Sequence, residues 1–164
     1  MNYCPNCGNV LIKTTIDETL VNKCKKCNFI DWDNWVNISC VVVAYNKNDE
    51  FLMVILKGKE EGKITFPGGY RNLGETLEEA AKREFYEETG MTIDQLELYK
   101  VYTDDKQRLV WIVYKTIIEQ VIFTENNEVK GLLLVNKDSE INLERLRGTL
   151  TKQLYFDIKN DSHF

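Results

Sequence analysis

Apolar residues along the chain fall into short runs whose spacing predicts strands first and a helix at the end. Runs rich in Val, Ile, Tyr and Trp predict strands over residues 38–45, 51–56, 96–102, 109–123 and 129–135. A turn over residues 46–49 should join the first two strands. Near the end of the chain, apolar residues recur at intervals of three or four, at Leu143, Leu146, Leu150, Leu154 and Ile158. That spacing predicts a C-terminal helix.

An earlier helix is marked at both of its ends. Thr76 and Glu79 have the spacing of a capping box, in which the hydroxyl and the carboxylate satisfy free amides of the first turn. Gly90 supplies the left-handed residue that ends a helix. Just upstream, the stretch PGG at residues 67–69 predicts a bend that lets the main chain approach a ligand closely. We therefore expect a helix from Thr76 to Gly90, beside a loop suited to ligand binding.

The acidic residues of this helix fall on its apolar side. With Leu77 at zero and a rotation of about 100° per residue, an apolar stripe is formed by Leu77, Ala80, Ala81 and Phe85. Glu84, Glu87 and Glu88 lie at about −20°, −80° and 20°, within that stripe. The other side is taken by Glu79, Lys82, Arg83 and Tyr86. The helical wheel therefore predicts that three glutamates face the body of the protein.

Three negatively charged carboxylates on one inward-facing turn need a nearby positive charge to offset them. A run of charge usually marks a solvated face. Like charges that face the protein body, however, repel one another and lose hydration. Carboxylate oxygens are hard ligands that suit Mg²⁺ or Mn²⁺. We therefore interpret Glu84, Glu87 and Glu88 as a platform for divalent metal ions.

Four of the five cysteines form two pairs with the spacing of a metal site. Cys4 pairs with Cys7 and Cys24 with Cys27, and together they supply a closed set of sulfur ligands that suits Zn²⁺. Alternating polar and apolar residues around positions 17–18 predict a β-hairpin between the pairs. Iron or redox use and a disulfide framework are the alternatives to a structural zinc ribbon. We expect the ribbon over residues 1–33 and a second domain over residues 34–164.

Charge and composition limit the partners. The net charge of −5 gives no long-range attraction for a polyanion, so general binding to nucleic acid or to anionic membranes is not expected. No apolar run is long enough to span a bilayer, and the first residues, MNYCPNCGN, do not resemble a secretory signal. We therefore expect a cytoplasmic protein. A phosphate-bearing small molecule is compatible with this charge, because a bound metal ion reverses the local charge.

The spacing of residues 69–91 resembles the Nudix box, G-x5-E-x7-R-E-U-x-E-E-x-G-U, in which U is apolar. Gly69 is followed after five residues by Glu75, and after seven more by REFYEETGM at residues 83–91, so every defined position is filled. The order of strands and helices from residue 36 to residue 159 also resembles the α/β/α sandwich of that family. The resemblance implies an α/β fold with a mixed sheet, preceded by a small zinc-ribbon β-hairpin domain.

The resemblance to Nudix hydrolases also implies a reaction. It implies metal-dependent hydrolysis of a nucleoside diphosphate linked to another group, by attack of water on phosphorus. By analogy, the divalent ions would be held by Gly69, Glu84, Glu87 and Glu88. Glu75 and Arg83 would pair, and their pairing would orient the loop and the helix. The family pattern thus implies a role for each of these residues.

The general base that activates the water has two candidates in a loop before a late strand. Glu128 directly precedes the strand that begins at Val129, and Glu125 lies in the same loop. Both residues also fit a solvated turn. Candidates for phosphate contacts are Lys57, Arg71 and Arg108, and candidates for stacking on a base are Trp35, Tyr45, Tyr70 and Trp111.

A zinc ribbon ahead of a Nudix domain resembles the arrangement in NADH pyrophosphatases, some of which remove NAD caps from RNA. Those enzymes carry an SQPWPF-type signature after the box, whereas this chain has IDQLELYKVYTDDKQRLVW there. ADP-ribose-like substrates are therefore expected, with NADH, NAD caps and nucleoside triphosphates as alternatives. A different class of function is a non-catalytic nucleotide sensor, or a ribbon that docks RNA or protein. Many Nudix hydrolases are dimers, so a homodimer is a further hypothesis.

Overall fold

The computed structural model describes residues 1–161. They form two compact units, one spanning Met1–Val36 and the other beginning at Asn37. Each unit has its own sheet and its own hydrophobic core. Among the described residues, no helix has the length and apolar character that crossing a bilayer requires. The last three residues of the predicted second domain, 162–164, lie outside the described residues.

The N-terminal unit is built on a three-stranded antiparallel sheet. Its strands are β1 (Leu11–Ile16), β2 (Thr19–Cys24) and β3 (Ile30–Asp31), in the order β1-β2-β3. Asp17 and Glu18 connect β1 to β2 with φ angles of 47° and 63°, the positive values that a two-residue hairpin turn needs. The alternating pattern around these residues therefore predicted the hairpin correctly.

The C-terminal unit contains a mixed sheet and two α-helices. Its strands are β4 (Asn37–Tyr45), β5 (Glu50–Leu56), β6 (Ile64–Thr65), β7 (Gly68–Tyr70), β8 (Glu97–Asp104), β9 (Leu109–Ile117) and β10 (Val129–Asn136). The helices are α1 (Leu77–Thr89) and α2 (Gly148–Asn160), and short 3-10 turns occupy Gly58–Glu60 and Leu143–Arg145. The main strand order is β10-β5-β4-β9-β8, with β6 beside β5 and β7 beside β4. Strands β4 and β9 run parallel, and the other pairs are antiparallel.

Strand β4 shows how the sheet is covered on both faces. Its central residues are all apolar and buried, the pattern of a strand without a solvent side. Val41 and Val43 pack in one core with residues of α2. Cys40, Val42 and Ala44 pack in a second core with residues of α1. The sheet therefore lies between the two helices, which is the predicted α/β/α sandwich.

Two predicted boundaries were wrong, and tertiary contacts explain both. The strand predicted over 109–123 ends at Ile117, because its parallel partner β4 ends at the paired residue Tyr45. The helix predicted from Leu143 begins at Gly148, because Leu146 bridges to Ile64 of β6 and the Arg147 amide donates to the Ile64 carbonyl, which keeps this link extended after the 3-10 turn. Leu146 in that link is nevertheless 2% exposed. The apolar residues of this link are therefore spaced as in a helix, although its backbone is not helical.

Candidate active site

Helix α1 is fixed at both ends by the residues that its sequence indicated. The Glu79 amide donates to Thr76 Oγ1 at 3.1 Å, and the Thr76 amide donates to Glu79 Oε2 at 2.7 Å. These two hydrogen bonds complete the capping box. Gly90 has a φ of 78°, and its amide donates to the Tyr86 carbonyl. Both ends of the helix are set, so its side chains keep a fixed register toward the sheet.

Two glycines of β7 let that strand approach its neighbours closely. A Cβ atom on Gly69 would lie 2.4 Å from Glu84 Oε2, and one on Gly68 would lie 2.4 Å from the Cys40 carbonyl oxygen. The Gly68 amide also donates to Glu88 Oε2 at 2.8 Å. Two carboxylates of α1 thus rest against the backbone of β7. One of them occupies space that a side chain at position 69 would fill.

Arg83 binds several oxygen atoms around this contact. Its Nε and Nη2 donate to the two carboxylate oxygens of Glu75, at 2.6 and 3.1 Å. Its Nη1 donates to Glu84 Oε1 at 2.7 Å and to Glu87 Oε2 at 3.0 Å, and Nη2 also donates to the Tyr70 carbonyl at 3.0 Å. Hydrogen bonds from Arg83 lower the pKa of Glu75 to about 2. All N–H donors of the guanidinium are therefore in use, and they connect β7, the following loop and α1.

The helical wheel was right for two of the glutamates and wrong for the third. Glu88 is 8% exposed and the Glu84 side chain is 15% exposed, but the Glu87 side chain is 54% exposed. Glu87 lies at the edge of the apolar stripe, where a long side chain reaches solvent. Arg83, expected on the opposite side of the helix, has a side chain that is 26% exposed. Its long side chain turns back because the carboxylates attract the guanidinium.

Burial removes hydration from two of these carboxylates, and their hydrogen bonds offset only part of that loss. Loss of hydration raises the pKa of Glu88 to about 8 and also raises the pKa of Glu84. The Gly68 amide offsets part of this effect at Glu88. Hard divalent cations take carboxylate and carbonyl oxygens as ligands. Largely buried carboxylates that pack on the half-buried glycine backbone of β7 therefore fit a Mg²⁺ or Mn²⁺ ion.

The loop before β10, which carries both candidate bases, is attached to the end of α1. The Asn126 side chain donates to the carbonyls of Glu87 and Glu88 and accepts from the Glu128 amide, so the backbone of Glu128 is tied to the last turn of α1. Glu125 instead forms an ion pair with Lys57 at 2.6 Å. This ion pair engages both Glu125, the second candidate base, and Lys57, a candidate for phosphate contact. The ion pair of Glu125 therefore favours Glu128 as the candidate base.

The other candidate contacts are spread over several places. Tyr70 and Trp111 line a cavity of about 170 Å³ between β7 and the start of α2, and Arg147, which the sequence reasoning missed, lines it too. Arg147 directly precedes Gly148, the first residue of α2. Arg71 Nε donates to the Glu75 carbonyl at 2.8 Å, so this side chain supports the loop before α1. Two residues proposed for stacking lie elsewhere: Tyr45 in other cavities and Trp35 in the N-terminal unit.

The four paired cysteines of the N-terminal unit converge on one point. Cys4 Sγ lies 3.4 Å from Cys27 Sγ and Cys7 Sγ lies 3.5 Å from Cys24 Sγ, and all four sulfur atoms lie within 4.8 Å of one another. A disulfide would require about 2.05 Å, so these thiols are free. A tetrahedral site with metal–sulfur bonds of about 2.3 Å has sulfur–sulfur edges of about 3.8 Å. The cluster can therefore hold a metal ion, and within residues 1–161 no other group of three or more His, Cys, Asp or Glu ligands is as compact.

The two cysteine pairs lie in equivalent turns. In each turn the amide of the first cysteine, Cys4 or Cys24, donates to the carbonyl five residues on, and the amide four residues on donates back to that cysteine. Positions 8 and 28 both have positive φ angles, 72° and 59°. A backbone hydrogen bond from Cys27 lowers the pKa of Cys24, whereas the neighbouring Cys4 thiol raises the pKa of Cys27. The repeated turn explains how two separate segments present sulfur atoms in the same way.

The fold and this site define the class of protein. Residues 35–151 match the family model of the NUDIX domain, and this span is more than half of the chain. The chain therefore belongs to the Nudix family. The complete box from Gly69 to Met91 lies inside the matched span, on β7 and α1.

Curated relatives cover part of the chain. The NAD-capped RNA hydrolase NudC of Vibrio cholerae is 28% identical over 101 residues, which make up 60% of this chain and 35% of that protein. The putative nudix hydrolase 1 of Caenorhabditis elegans is 29% identical over 129 residues, which make up 75% of this chain and 35% of that protein. The chain thus spans about a third of the length of the curated relatives it matches.

Solved structures share the fold over a longer stretch. The crystal structure of a NUDIX hydrolase from Nitrosomonas europaea has a TM-score of 0.78 and 23% identity, covering 99% of this chain and 93% of that one. An ADP-ribose pyrophosphatase from Streptococcus suis has a TM-score of 0.57 and 16% identity, covering 78% of this chain and 95% of that one. At these identities the likeness shows a common fold.

Proposed function

We propose that the protein is a divalent-metal-dependent pyrophosphohydrolase that cleaves a nucleoside diphosphate linked to another group. One observation carries this proposal. In a chain of the Nudix family, two carboxylates of α1 are largely buried: Glu84 lies beside Gly69 and is bound by Arg83, and Glu88 accepts from the Gly68 amide. Carboxylates placed in this way gain most from a cation. A phosphate anhydride then has a place to bind in an otherwise acidic region.

Each part of the site has a separate task in this proposal. The Gly69 carbonyl and the carboxylates of Glu84, Glu87 and Glu88 would hold Mg²⁺ or Mn²⁺. A cation bound there would neutralise charge on the phosphoryl oxygens and make a bound water more acidic. Glu128 accepts the proton of the attacking water while a new O–P bond forms and the anhydride P–O bond breaks. Glu75 holds Arg83, so the carboxylates keep their positions on the helix.

The substrate proposed is ADP joined through its pyrophosphate to a second ribose. ADP-ribose is the simplest member of this class, and the absence of an SQPWPF-type signature from residues 92–111 favours it. NADH and NAD-capped RNA share the same pyrophosphate group. They form the second candidate, because several relatives over 60% of this chain are named as NAD-capped RNA hydrolases. Nucleoside triphosphates lack the second ribose and serve as the contrasting substrate.

A substrate panel with purified protein tests the proposal. AMP should be released from ADP-ribose in the presence of Mg²⁺ or Mn²⁺ and not in the presence of EDTA, and NADH, NAD-capped RNA and ATP should be slower. Glu87→Gln should lower kcat by about 100-fold or more at equal stability, since it removes one charge from the metal ligands. Glu78→Gln is the matched control, because Glu78 lies on the first turn of the same helix. If the wild-type protein with metal hydrolyses none of these compounds, a nucleotide sensor becomes the better description.

For the N-terminal unit we propose a structural Zn²⁺ ion bound by Cys4, Cys7, Cys24 and Cys27. Four sulfur ligands leave no open position for water or substrate, which supports a structural role over a catalytic one. Equivalent turns around both cysteine pairs support the same view. A homodimer, a cytoplasmic location and a docking role for the ribbon remain hypotheses. The domain division at residues 33–34 is likewise a proposal.

A further inference from the structure

Asn126 occupies the middle of the loop that carries Glu128. Its Nδ2 donates to the carbonyl oxygens of Glu87 at 3.0 Å and Glu88 at 3.2 Å. Its Oδ1 accepts from the Glu128 amide at 2.9 Å and from the Val129 amide at 2.8 Å. One side chain thus joins the last turn of α1 to the backbone of the candidate base.

These four hydrogen bonds use the full capacity of the amide group, which has two N–H donors and two acceptor lone pairs. On both sides of the Asn126 side chain, the hydrogen bonds satisfy backbone groups that need a partner. The last carbonyls of an α-helix have no partner within the helix, so those of Glu87 and Glu88 need an outside donor. The Glu128 amide, two residues after Asn126, pairs with its side chain as in an Asx turn. An asparagine satisfies both needs because it donates and accepts from one planar group.

A second attachment holds the same loop to the strand side of the domain. Lys57 Nζ donates to the Asn126 carbonyl at 2.7 Å, and the Lys57 amide donates to the Glu128 carbonyl at 2.8 Å. Lys57 also pairs with Glu125. The backbone at Glu128 is therefore held from two directions, by Lys57 from one side and by Asn126 from the other. Of these two, Asn126 is the contact that reaches the helix carrying the proposed metal ligands.

We infer that Asn126 is a positioning residue, which sets the place of the Glu128 carboxylate relative to Glu84 and Glu88. This inference rests on the proposed function. The Glu128 side chain is exposed, so packing does not fix it, and its place depends on where its backbone is held. A displacement of about 1 Å in a reacting group can cost up to 100-fold in rate. The hydrogen bonds of Asn126 therefore act on turnover through the position of Glu128.

Two substitutions of equal charge separate this role from a general effect on the loop. Asn126→Asp keeps an acceptor for the Glu128 amide, but it cannot donate to the carbonyls of α1, and its charge faces the negative end of the helix dipole. It should lower kcat by about 10- to 100-fold, with KM for the nucleotide changed less than about threefold. Asn127→Asp is the control, because Asn127 is exposed and makes no hydrogen bond or ion pair with the described residues. Its kcat should stay within about twofold of wild type.

A double substitution tests whether Asn126 acts through Glu128. Glu128→Gln alone should lower kcat strongly, by about 100-fold or more. Adding Asn126→Ala to Glu128→Gln should then cause little further loss, although Asn126→Ala alone costs about tenfold. Full additivity of the two losses would overturn the inference. Glu128→Gln with wild-type kcat would overturn it as well, while leaving the hydrolase itself intact.

Hydrogen exchange gives a readout that does not depend on activity. In Asn126→Ala, the amides of residues 124–129 should exchange faster than in wild type, while those in the middle of α1 stay protected. In Asn127→Ala the exchange of both segments should be unchanged. Equal exchange of the loop in wild type and Asn126→Ala would show that this side chain does not hold it. Failure of the wild-type protein to hydrolyse any nucleotide would overturn the proposed function and this inference together, which sets that result apart from the others.

Discussion

Replacing Gly69 by alanine should damage the carboxylate cluster while the domain stays folded. The added Cβ would lie 2.4 Å from Glu84 Oε2, whereas ordinary van der Waals contact begins at 3.4 Å. The carboxylate must therefore retreat by about 1 Å. Gly69 is not among the glycines with positive φ, so alanine adds no backbone strain. The atoms in the way belong to the end of a flexible side chain, which can move.

The expected magnitudes differ for turnover and for stability. A displacement of about 1 Å in a group that acts on the substrate lowers the rate by up to 100-fold, which is about 2.7 kcal/mol in the barrier. The partly exposed ion pair of Arg83 with Glu84 is worth about 1 kcal/mol or less. Alanine in place of glycine returns about 0.4–1 kcal/mol by restricting the unfolded chain. These two terms nearly cancel, so the melting temperature should change by no more than about 4 °C.

The assay compares three glycine substitutions. For each variant, kcat on ADP-ribose, its Mg²⁺ dependence, Mn²⁺ affinity by calorimetry and the melting temperature by circular dichroism are measured. Gly131→Ala is the control, since its Cβ would lie 3.9 Å from the nearest atom, Ile55 Cδ1, and it should behave like wild type. Gly68→Ala would place a Cβ 2.4 Å from the Cys40 carbonyl in the paired strand, so it should lower stability. Wild-type turnover and Mn²⁺ affinity in Gly69→Ala would refute the placement of Glu84 as a metal ligand.

Two further predictions concern the thiol cluster and the Glu75–Arg83 pair. Cys24→Ser should lose the zinc that elemental analysis detects, and its amides throughout residues 1–36 should exchange faster. Lys25→Ser, in the same turn, should keep the zinc and the wild-type exchange rates. A wild-type protein purified without zinc would contradict the proposal. The pKa of Glu75 is lowered from 4.5 to about 2, so the stability from its pair with Arg83 is present above pH 4.5 and is lost as pH falls toward 2. Melts of wild type and Glu75→Gln should therefore differ by a constant amount above pH 4.5 and converge below it, and a difference that grows toward low pH would contradict this.

Local patterns predicted the parts of the fold whose causes are local. The capping box at Thr76 and Glu79 and the left-handed Gly90 each depend on residues within one helical turn, and the structure has all three in place. The ends of β9 and α2 have causes that are distant in sequence. Strand β9 ends because β4, more than sixty residues earlier in the chain, ends beside it. Periodicity cannot reveal such a boundary, since the apolar residues continue past it.

In the candidate site, too, some features have causes that are local in the sequence and others depend on distant residues. Spacing alone placed Glu84 and Glu88 on the buried side of α1, because a helix fixes the direction of each side chain near its backbone. It could not place the ends of long side chains. Arg83 and Glu87 adjust to partners brought by β7 and by the following loop. Asn126 was missed because its partners lie almost forty residues away, and a lone asparagine before a strand has the signature of an ordinary turn.

The way in which Arg83 is shared explains why position 75 carries a glutamate. Nη1 of Arg83 contacts Glu84 and Glu87, and a cation would take oxygens of the same two carboxylates. Arg83 must therefore be able to release them without becoming an unpaired, partly buried charge, which would be costly. Its Nε and Nη2 bind both oxygens of Glu75 in a bidentate pair that does not involve those ligands. Glu75 therefore keeps the guanidinium paired whether Glu84 and Glu87 bind Arg83 or the proposed cation.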